Sequence, residues 1–160
     1  MGVAAQPVRA ILFDKSDDSN WALGWHQDRT IAVRERIEVE GYNNWTLKAG
    51  TPHVEPPIAF LQRMITARVH LDDVGADNGP LLIKLGSHRL GRLAEDKIAV
   101  LVGTGTFTCL ASAGDVWLYA TPILHSSEAS RRPAGRRVLQ VDFSTEQLPG
   151  GLQWAGIAGR

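Results

Sequence analysis

Ile65-Thr66-Ala67-Arg68-Val69-His70-Leu71-Asp72 alternates apolar and polar residues without a break. On an extended backbone, neighbouring side chains point to opposite faces. Ile65, Ala67, Val69 and Leu71 therefore share one face, and Thr66, Arg68, His70 and Asp72 share the other. Arg136 to Phe143 repeats the pattern, with Val138, Gln140 and Asp142 opposed to Leu139, Val141 and Phe143. Working outward, short runs at Val8–Phe13, Thr30–Ile37, Trp45–Lys48, Leu81–Leu85, Gly105–Leu110, Asp115–Ala120 and Ile123–Ser127 also read as strands. Only Pro56–Met64 and Leu93–Leu101 suggest short helices. Many short strands with little helix predict an all-β sandwich or barrel, and a jelly roll of about eight strands fits the count. Periodicity alone does not separate it from other sandwiches.

Composition narrows the function. The 160 residues suit a single domain, 1–160, with no internal repeat. Lys+Arg and Asp+Glu are both 17, so no charge excess points to nucleic acid or an anionic membrane. No run of eighteen apolar residues exists, and Met1–Pro7 lacks the basic and apolar regions of a secretory leader. The one cysteine, Cys109, excludes an internal disulfide and reads as a small core residue. A reducing cytoplasm is the simplest expected location.

Gly24-Trp25-His26-Gln27-Asp28 carries a His-x-Asp pair. Residues i and i+2 of a strand face the same way, so His26 and Asp28 can share one metal ion while Gln27 points away. Alone, this spacing is more often a surface pair. Gly114-Asp115 then turns into a strand, and His125 follows 97 residues after Asp28. Two imidazoles and a carboxylate make the facial set that holds iron(II) with positions open for oxygen. Ser127 stands two residues beyond His125, and Arg136 opens the last strand. A guanidinium there suits a fork on a dicarboxylate, with Ser127 adding a hydrogen bond. Arg131, Arg132 and Arg137 read as a solvated basic run.

Together, Trp25-His26-Gln27-Asp28, Asp77-Asn78-Gly79-Pro80-Leu81, Gly86-Ser87-His88, Gly114-Asp115, His125-Ser126-Ser127 and Arg136 resemble the phytanoyl-CoA dioxygenase family. The resemblance runs from about Val8 to Trp154. It implies a cupin-like double-stranded β-helix, with iron(II) on His26, Asp28 and His125. It implies 2-oxoglutarate held by Arg136 with help from Ser127, and dioxygen as oxidant. The implied reaction hydroxylates a small organic substrate and releases succinate and carbon dioxide. Asp28 is intact, which favours hydroxylation over halogenation. The family usually has a longer helical region ahead of His-x-Asp than the 25 residues here. The expectation is therefore an uncovered apolar sheet face, which would favour dimerisation or low stability, with monomer and homodimer both open.

Weaker candidates surround this set. Arg68 and His70 line a pocket if their face looks inward, although a solvated face is an equal reading. Lys15 precedes His26 by eleven residues and is placed to reach an anionic substrate or co-substrate. His53 lies in a Pro-rich stretch, Pro52–Pro57, expected to be an exposed loop. His88 is expected to close a loop through hydrogen bonds. Trp21, Trp25 and Trp45 are expected to flank the site by aromatic packing. Glu35–Gly41 reads as a solvated loop. Two competing functions remain: a cupin-like binding module without turnover, and a zinc hydrolase using the same ligands. The Arg136 clamp weighs against the hydrolase.

Overall fold

A computed structural model describes residues 5–16, 18–103, 105–131 and 135–157. Arg132 and Met1–Ala4 lie outside the described residues. In chain order the elements are β1 (Gln6–Lys15), β2 (Leu23–His26), β3 (Ile31–Ala32), β4 (Asn43–Lys48), β5 (Thr51–Glu55), α1 (Ile58–Leu61), β6 (Ile65–His70), β7 (Leu81–Lys84), a 3₁₀ turn (Ser87–Arg89), α2 (Glu95–Leu101), β8 (Thr106–Cys109), β9 (Val116–Ala120), β10 (His125–Ser127) and β11 (Arg136–Ser144).

All pairing is antiparallel. The major sheet runs β1-β11-β6-β9 and the minor sheet β2-β10-β7-β8. The chain passes back and forth between them, which is the jelly roll expected from the strand count and the family resemblance. A third sheet, β3-β5-β4, stands beside them. No helix among the described residues is long and apolar enough to cross a membrane.

The faces of the major sheet are unusual. Its polar residues point inward: Thr66, Arg68 and His70 of β6 are buried, as are Arg136, Gln140, Asp142 and Ser144 of β11. The solvated reading of the Arg68–His70 face is thus overturned. Hydrophobic packing concentrates in three clusters around this polar interior. The largest joins Val8, Ile31, Val33, Val54, Phe60, Leu61 and Met64 where the third sheet and α1 meet the end of β1. A second holds Leu81, Ile83, Cys109, Tyr119 and Ile123 between the sheets, and a third holds Leu93, Ile98 and Leu124 under α2. Cys109 is 1% exposed, and burial pushes its thiol up to about 11, so it is an inert core residue.

Two expectations fail locally. The strand expected over Thr30–Ile37 stops at Ala32. Val33 N still donates to Pro52 O of β5, but Val33 also bridges Trp154 and Arg34 N donates to Gln153 O, so the chain leaves the sheet there. The loop expected at Pro52–Pro57 is largely β5, the central strand of the third sheet, and His53 is buried. A two-residue turn makes this strand: Ala49 and Gly50 both adopt positive φ, 46° and 77°, which brings Lys48 opposite Thr51. Glu35–Gly41 does lie in a loop.

Candidate functional site

The site is built by cross-strand register. His125 of β10 pairs directly with His26 of β2, which sets the two imidazoles side by side with ring centroids 4.3 Å apart. Asp28 follows β2, two residues beyond His26. One ligand atom from each of His26, Asp28 and His125 lies within 4.8 Å of the other two. The donor set fits a metal ion. His26 Nδ1 lies 2.7 Å from Gly24 O, and His125 Nδ1 2.9 Å from Ile123 O. A carbonyl only accepts, so both Nδ1 atoms carry the proton and both Nε2 lone pairs remain for a metal. Burial raises the Asp28 pKa, but His125, Arg9, His26 and a long Gln140 hydrogen bond outweigh it and hold the carboxyl below its ordinary value. Burial is the main cause that keeps the His125 ring below the ordinary imidazole range. A neutral imidazole and an ionised carboxylate are the protonation states that ligands need.

Gln27 anchors this segment from behind. Its Nε2 donates to Gly91 O at 3.0 Å and Pro122 O at 2.9 Å, and its Oε1 accepts from Leu93 N at 2.9 Å. It points away from the metal face, as the alternation required, but it is buried rather than idle. It ties the His26–Asp28 segment to the loop that leads into His125. Ser87, rather than His88, closes the neighbouring loop: its Oγ donates to Lys84 O and accepts from Leu124 N. The His88 Nδ1 is buried and unpartnered.

Beside the triad lies a cluster of positive charge. Lys15 and Arg136 are direct cross-strand neighbours on β1 and β11, and Arg68 projects inward from β6. Their exposures are 2%, 3% and 6%. Lys15 Nζ donates to Ser127 Oγ at 3.0 Å and to Glu128 O at 2.7 Å. Arg136 donates to Gly79 O and Arg68 to Gln140 Oε1. Among the described residues, both arginines keep a buried Nε with no hydrogen-bond partner. Among the described residues, none of the three cations forms an ion pair with a carboxylate. Burial, with the repulsion of Arg136 and Arg68, brings Lys15 down to about 8, and burial with Arg68 brings Arg136 down to about 10. Buried like charges cost stability unless an anion joins them.

The Gly79 carbonyl is held by a turn only glycine tolerates. Its φ is +57°, and a Cβ there would sit 2.6 Å from Glu128 O. The cavity between the sheets has a volume of about 60 Å³ and is lined by His26, Asp28, His125, Ser127, Arg68 and Arg136, with apolar walls from Phe13, Trp21, Leu23 and Leu81. Lys15 lies 5.3 Å from the centre of the Trp21 ring. Of the other tryptophans, Trp25 packs on the cluster under α2, and Trp45 belongs to the cluster by the third sheet, so it does not flank the site.

All seven residues singled out in the sequence, His26, Asp28, His125, Arg136, Ser127, Arg68 and Lys15, gather in one place. Sequence reasoning missed Gln140, Asp142 and Arg9. Gln140 Nε2 reaches Asp28 Oδ2 at 3.5 Å and Asp142 Oδ1 at 3.4 Å, and Thr66 Oγ1 donates to Asp142 at 2.8 Å. Polar residues at alternate positions on β11, on the same face as Val138, were the available signal. For Arg9 the signal was its place on the alternate positions of β1 that lead to Lys15. Arg131 and Arg137 are exposed at the surface as expected, Arg137 forking onto Asp72 at 2.8 and 2.9 Å.

A family model described as phytanoyl-CoA dioxygenase (PhyH) matches residues 5–138. Among solved structures, the chain is similar to AviO1 from Streptomyces viridochromogenes Tue57, at 22% identity and a TM-score of 0.61, covering 91% of this chain and 53% of that one. It is similar to ThoJ, a non-haem monooxygenase in its apo form, at 23% identity and a TM-score of 0.62, covering 88% of this chain and 46% of that one. It is similar to EctD from S. alaskensis with bound iron, at 19% identity and a TM-score of 0.62, covering 88% and 44%. At these identities the likeness shows a shared fold. The chain spans about half the length of these structures. No curated protein matches it significantly by sequence.

Proposed function

The chain belongs to the phytanoyl-CoA dioxygenase family, and on that premise we propose that it is an iron(II)- and 2-oxoglutarate-dependent oxygenase that hydroxylates a small organic substrate and releases succinate and carbon dioxide. The observation that carries this reading is the pairing of His26, Asp28 and His125 with three buried cations that, among the described residues, form no ion pair with a carboxylate. A zinc hydrolase has no use for such a cluster, whereas a dicarboxylate co-substrate neutralises it.

The residues divide the work. Nε2 of His26, Nε2 of His125 and a carboxylate oxygen of Asp28 would hold iron(II), which supplies the activation of dioxygen. Gln27 fixes the segment that carries His26 and Asp28, and the backbone carbonyls of Gly24 and Ile123 fix the rings. Arg136 and Lys15 receive the distal carboxylate of 2-oxoglutarate, with Arg68 adding charge from the next strand. Lys15 keeps the Ser127 hydroxyl oriented toward that carboxylate. A space of about 60 Å³ holds roughly two waters at ~30 Å³ each. The co-substrate would need more room than this, and its carboxylate would offer the Arg136 guanidinium an acceptor. Phe13, Trp21, Leu23 and Leu81 then exclude water from the reacting region.

The test is spectroscopic first. Purified protein is loaded anaerobically with iron(II) and 2-oxoglutarate, and the visible charge-transfer absorption of the chelate is recorded. Absorption is expected for the parent and lost in His26→Ala. In Arg136→Ala it needs at least tenfold more 2-oxoglutarate, as for one charge-assisted contact. Oxygen is then admitted and succinate assayed. No absorption from folded parent protein would overturn the reading.

A further inference from the structure

A second basic recess opens on the side of the triad away from Arg136, with Arg9, Lys48 and His53 among its lining residues and no acidic one. Its volume is about 310 Å³. Arg9 and Ile11 line both this recess and the metal cavity, so the two spaces adjoin. We infer that this recess receives the substrate, and that the substrate is a small molecule bearing a carboxylate or phosphoryl anion, bound by Arg9, Lys48 and His53 beside the metal. This rests on the oxygenase reading above.

Three observations support it. The first is the register of β1. Arg9, Ile11, Phe13 and Lys15 pair without interruption with Asp142, Gln140, Val138 and Arg136, so Arg9 shares the inward face of Lys15. A bulge just before it, between Pro7 and Arg9, turns Val8 inward as well.

The second is that these donors lack acceptors. The Arg9 guanidinium makes no hydrogen bond among the described residues. Its one charged contact is Asp142 at 3.6 Å, with Asp28 also acting on it through space. Lys48 Nζ donates only to the Thr30 hydroxyl, at 3.1 Å. His53 Nδ1 is held by Thr51 O at 2.9 Å, which leaves Nε2 for a ligand. Lys48 is exposed at the mouth of the recess, where Arg9 repels it and Asp28 attracts it, and His53 is held below its ordinary range by burial first and by Arg9 and Lys48 after it, against its Thr51 hydrogen bond.

The third is separation. Arg9 and Lys15 lie six residues apart on one strand, roughly 20 Å at 3.3–3.4 Å per residue. A five-carbon dicarboxylate cannot reach both clusters. One cluster therefore serves the co-substrate, and the other is free for a second anion.

Three probes of matched length separate the possibilities: hexanoate, hexyl phosphate and hexanamide. Each is titrated calorimetrically into the full chain loaded with nickel(II), a redox-inert stand-in for iron, and 2-oxoglutarate. At least one acid is expected to bind tenfold or more tightly than the amide. Lys48→Met is expected to lose that preference, Lys48→Arg to keep it, and circular dichroism to report folding of both. The tighter acid identifies the class of anion. Equal binding of acid and amide, no binding of either acid at millimolar concentration, or acid binding that survives Lys48→Met would each overturn the inference. So would acid binding lost instead in Arg136→Ala, which would place the probe in the co-substrate site. A Lys48-dependent anion site in a protein that forms no iron–2-oxoglutarate absorption would sink the oxygenase reading while leaving the recess an anion site.

Discussion

Lys15 and Arg136 are direct cross-strand neighbours with both heads buried, although like charges set opposite one another weaken a sheet. Among the described residues neither forms an ion pair with a carboxylate, so an anion arriving between them relieves their repulsion. Burial and its two arginine neighbours bring Lys15 down to about 8. Near neutral pH most molecules carry the ammonium, and above that value most do not. Affinity for 2-oxoglutarate is therefore expected to fall as pH rises through about 8, where the free protein loses this charge. The loss of a charge-assisted hydrogen bond, about 1.5–3 kcal/mol, corresponds to tenfold or more. Titration of the nickel(II)-loaded protein between pH 7 and 9.5 measures it, and Lys15→Arg should flatten the profile. An affinity independent of pH over that range would remove Lys15 from the co-substrate site.

At the scale of elements, the turn that creates β5 has a residue ill-suited to it. Ala49 sits at φ 46° ahead of Gly50 at 77°, a geometry that favours Asn-Gly. Ala49→Asn is expected to raise stability by about 0.5–1 kcal/mol, read as a higher urea midpoint with an unchanged slope. The same mismatch explains why β5 was illegible. Lys-Ala-Gly-Thr lacks the turn signature, and Pro52, Pro56 and Pro57 suggest a loop. By contrast, β6 and β11 were legible because their alternation is uninterrupted, and His26, Asp28 and His125 because i, i+2 spacing survives in any extended segment. Which face of β6 looks inward was not legible. That is decided by the packing of the two sheets, which brings His26, His125 and Ser127 of the minor sheet to the same cavity as Arg68 and Gln140, an arrangement no single strand reports. The inward face has a consequence for His70. Its Nδ1 is buried and unpartnered, and burial with Arg68 and Arg136 holds the ring below its ordinary range against Asp115. Below about pH 6.5 the unfolded chain takes up a proton that the folded ring refuses, so stability is full above that pH and falls as pH drops. His53 is shifted the same way. The urea midpoint of metal-free protein is expected to fall between pH 7 and 5.5, with a shallower slope in His70→Gln. A midpoint independent of pH would mean that these rings titrate normally.

At the scale of the whole molecule, the inward turn of polar residues forces apolar ones outward. The outer face of the major sheet presents three rows in register: Leu12, Leu139, Val69 and Val116; Ala10, Val141, Ala67 and Leu118; Pro7, Phe143, Ile65 and Ala120. Leu12 is 56% exposed, Val116 52% and Leu118 67%. Four strands about 4.8 Å apart and three rows about 7 Å apart make a flat patch on the order of 300 Å². That is the size of the largest bare patch on an ordinary lone domain. The net charge of zero offers no general repulsion to keep such faces apart. The native protein at pH 7 is therefore expected to enhance the fluorescence of anilinonaphthalene sulfonate, a dye that reports exposed apolar surface. The double variant Leu12→Lys, Leu118→Lys is expected to remove most of that signal. Both side chains are already largely in water, so each substitution should shift stability by no more than about 0.5 kcal/mol. The melting temperature then separates loss of the patch from loss of the fold. Dye enhancement that persists in a variant of unchanged melting temperature would place the dye elsewhere, and no enhancement in the parent would mean that this face is covered in solution.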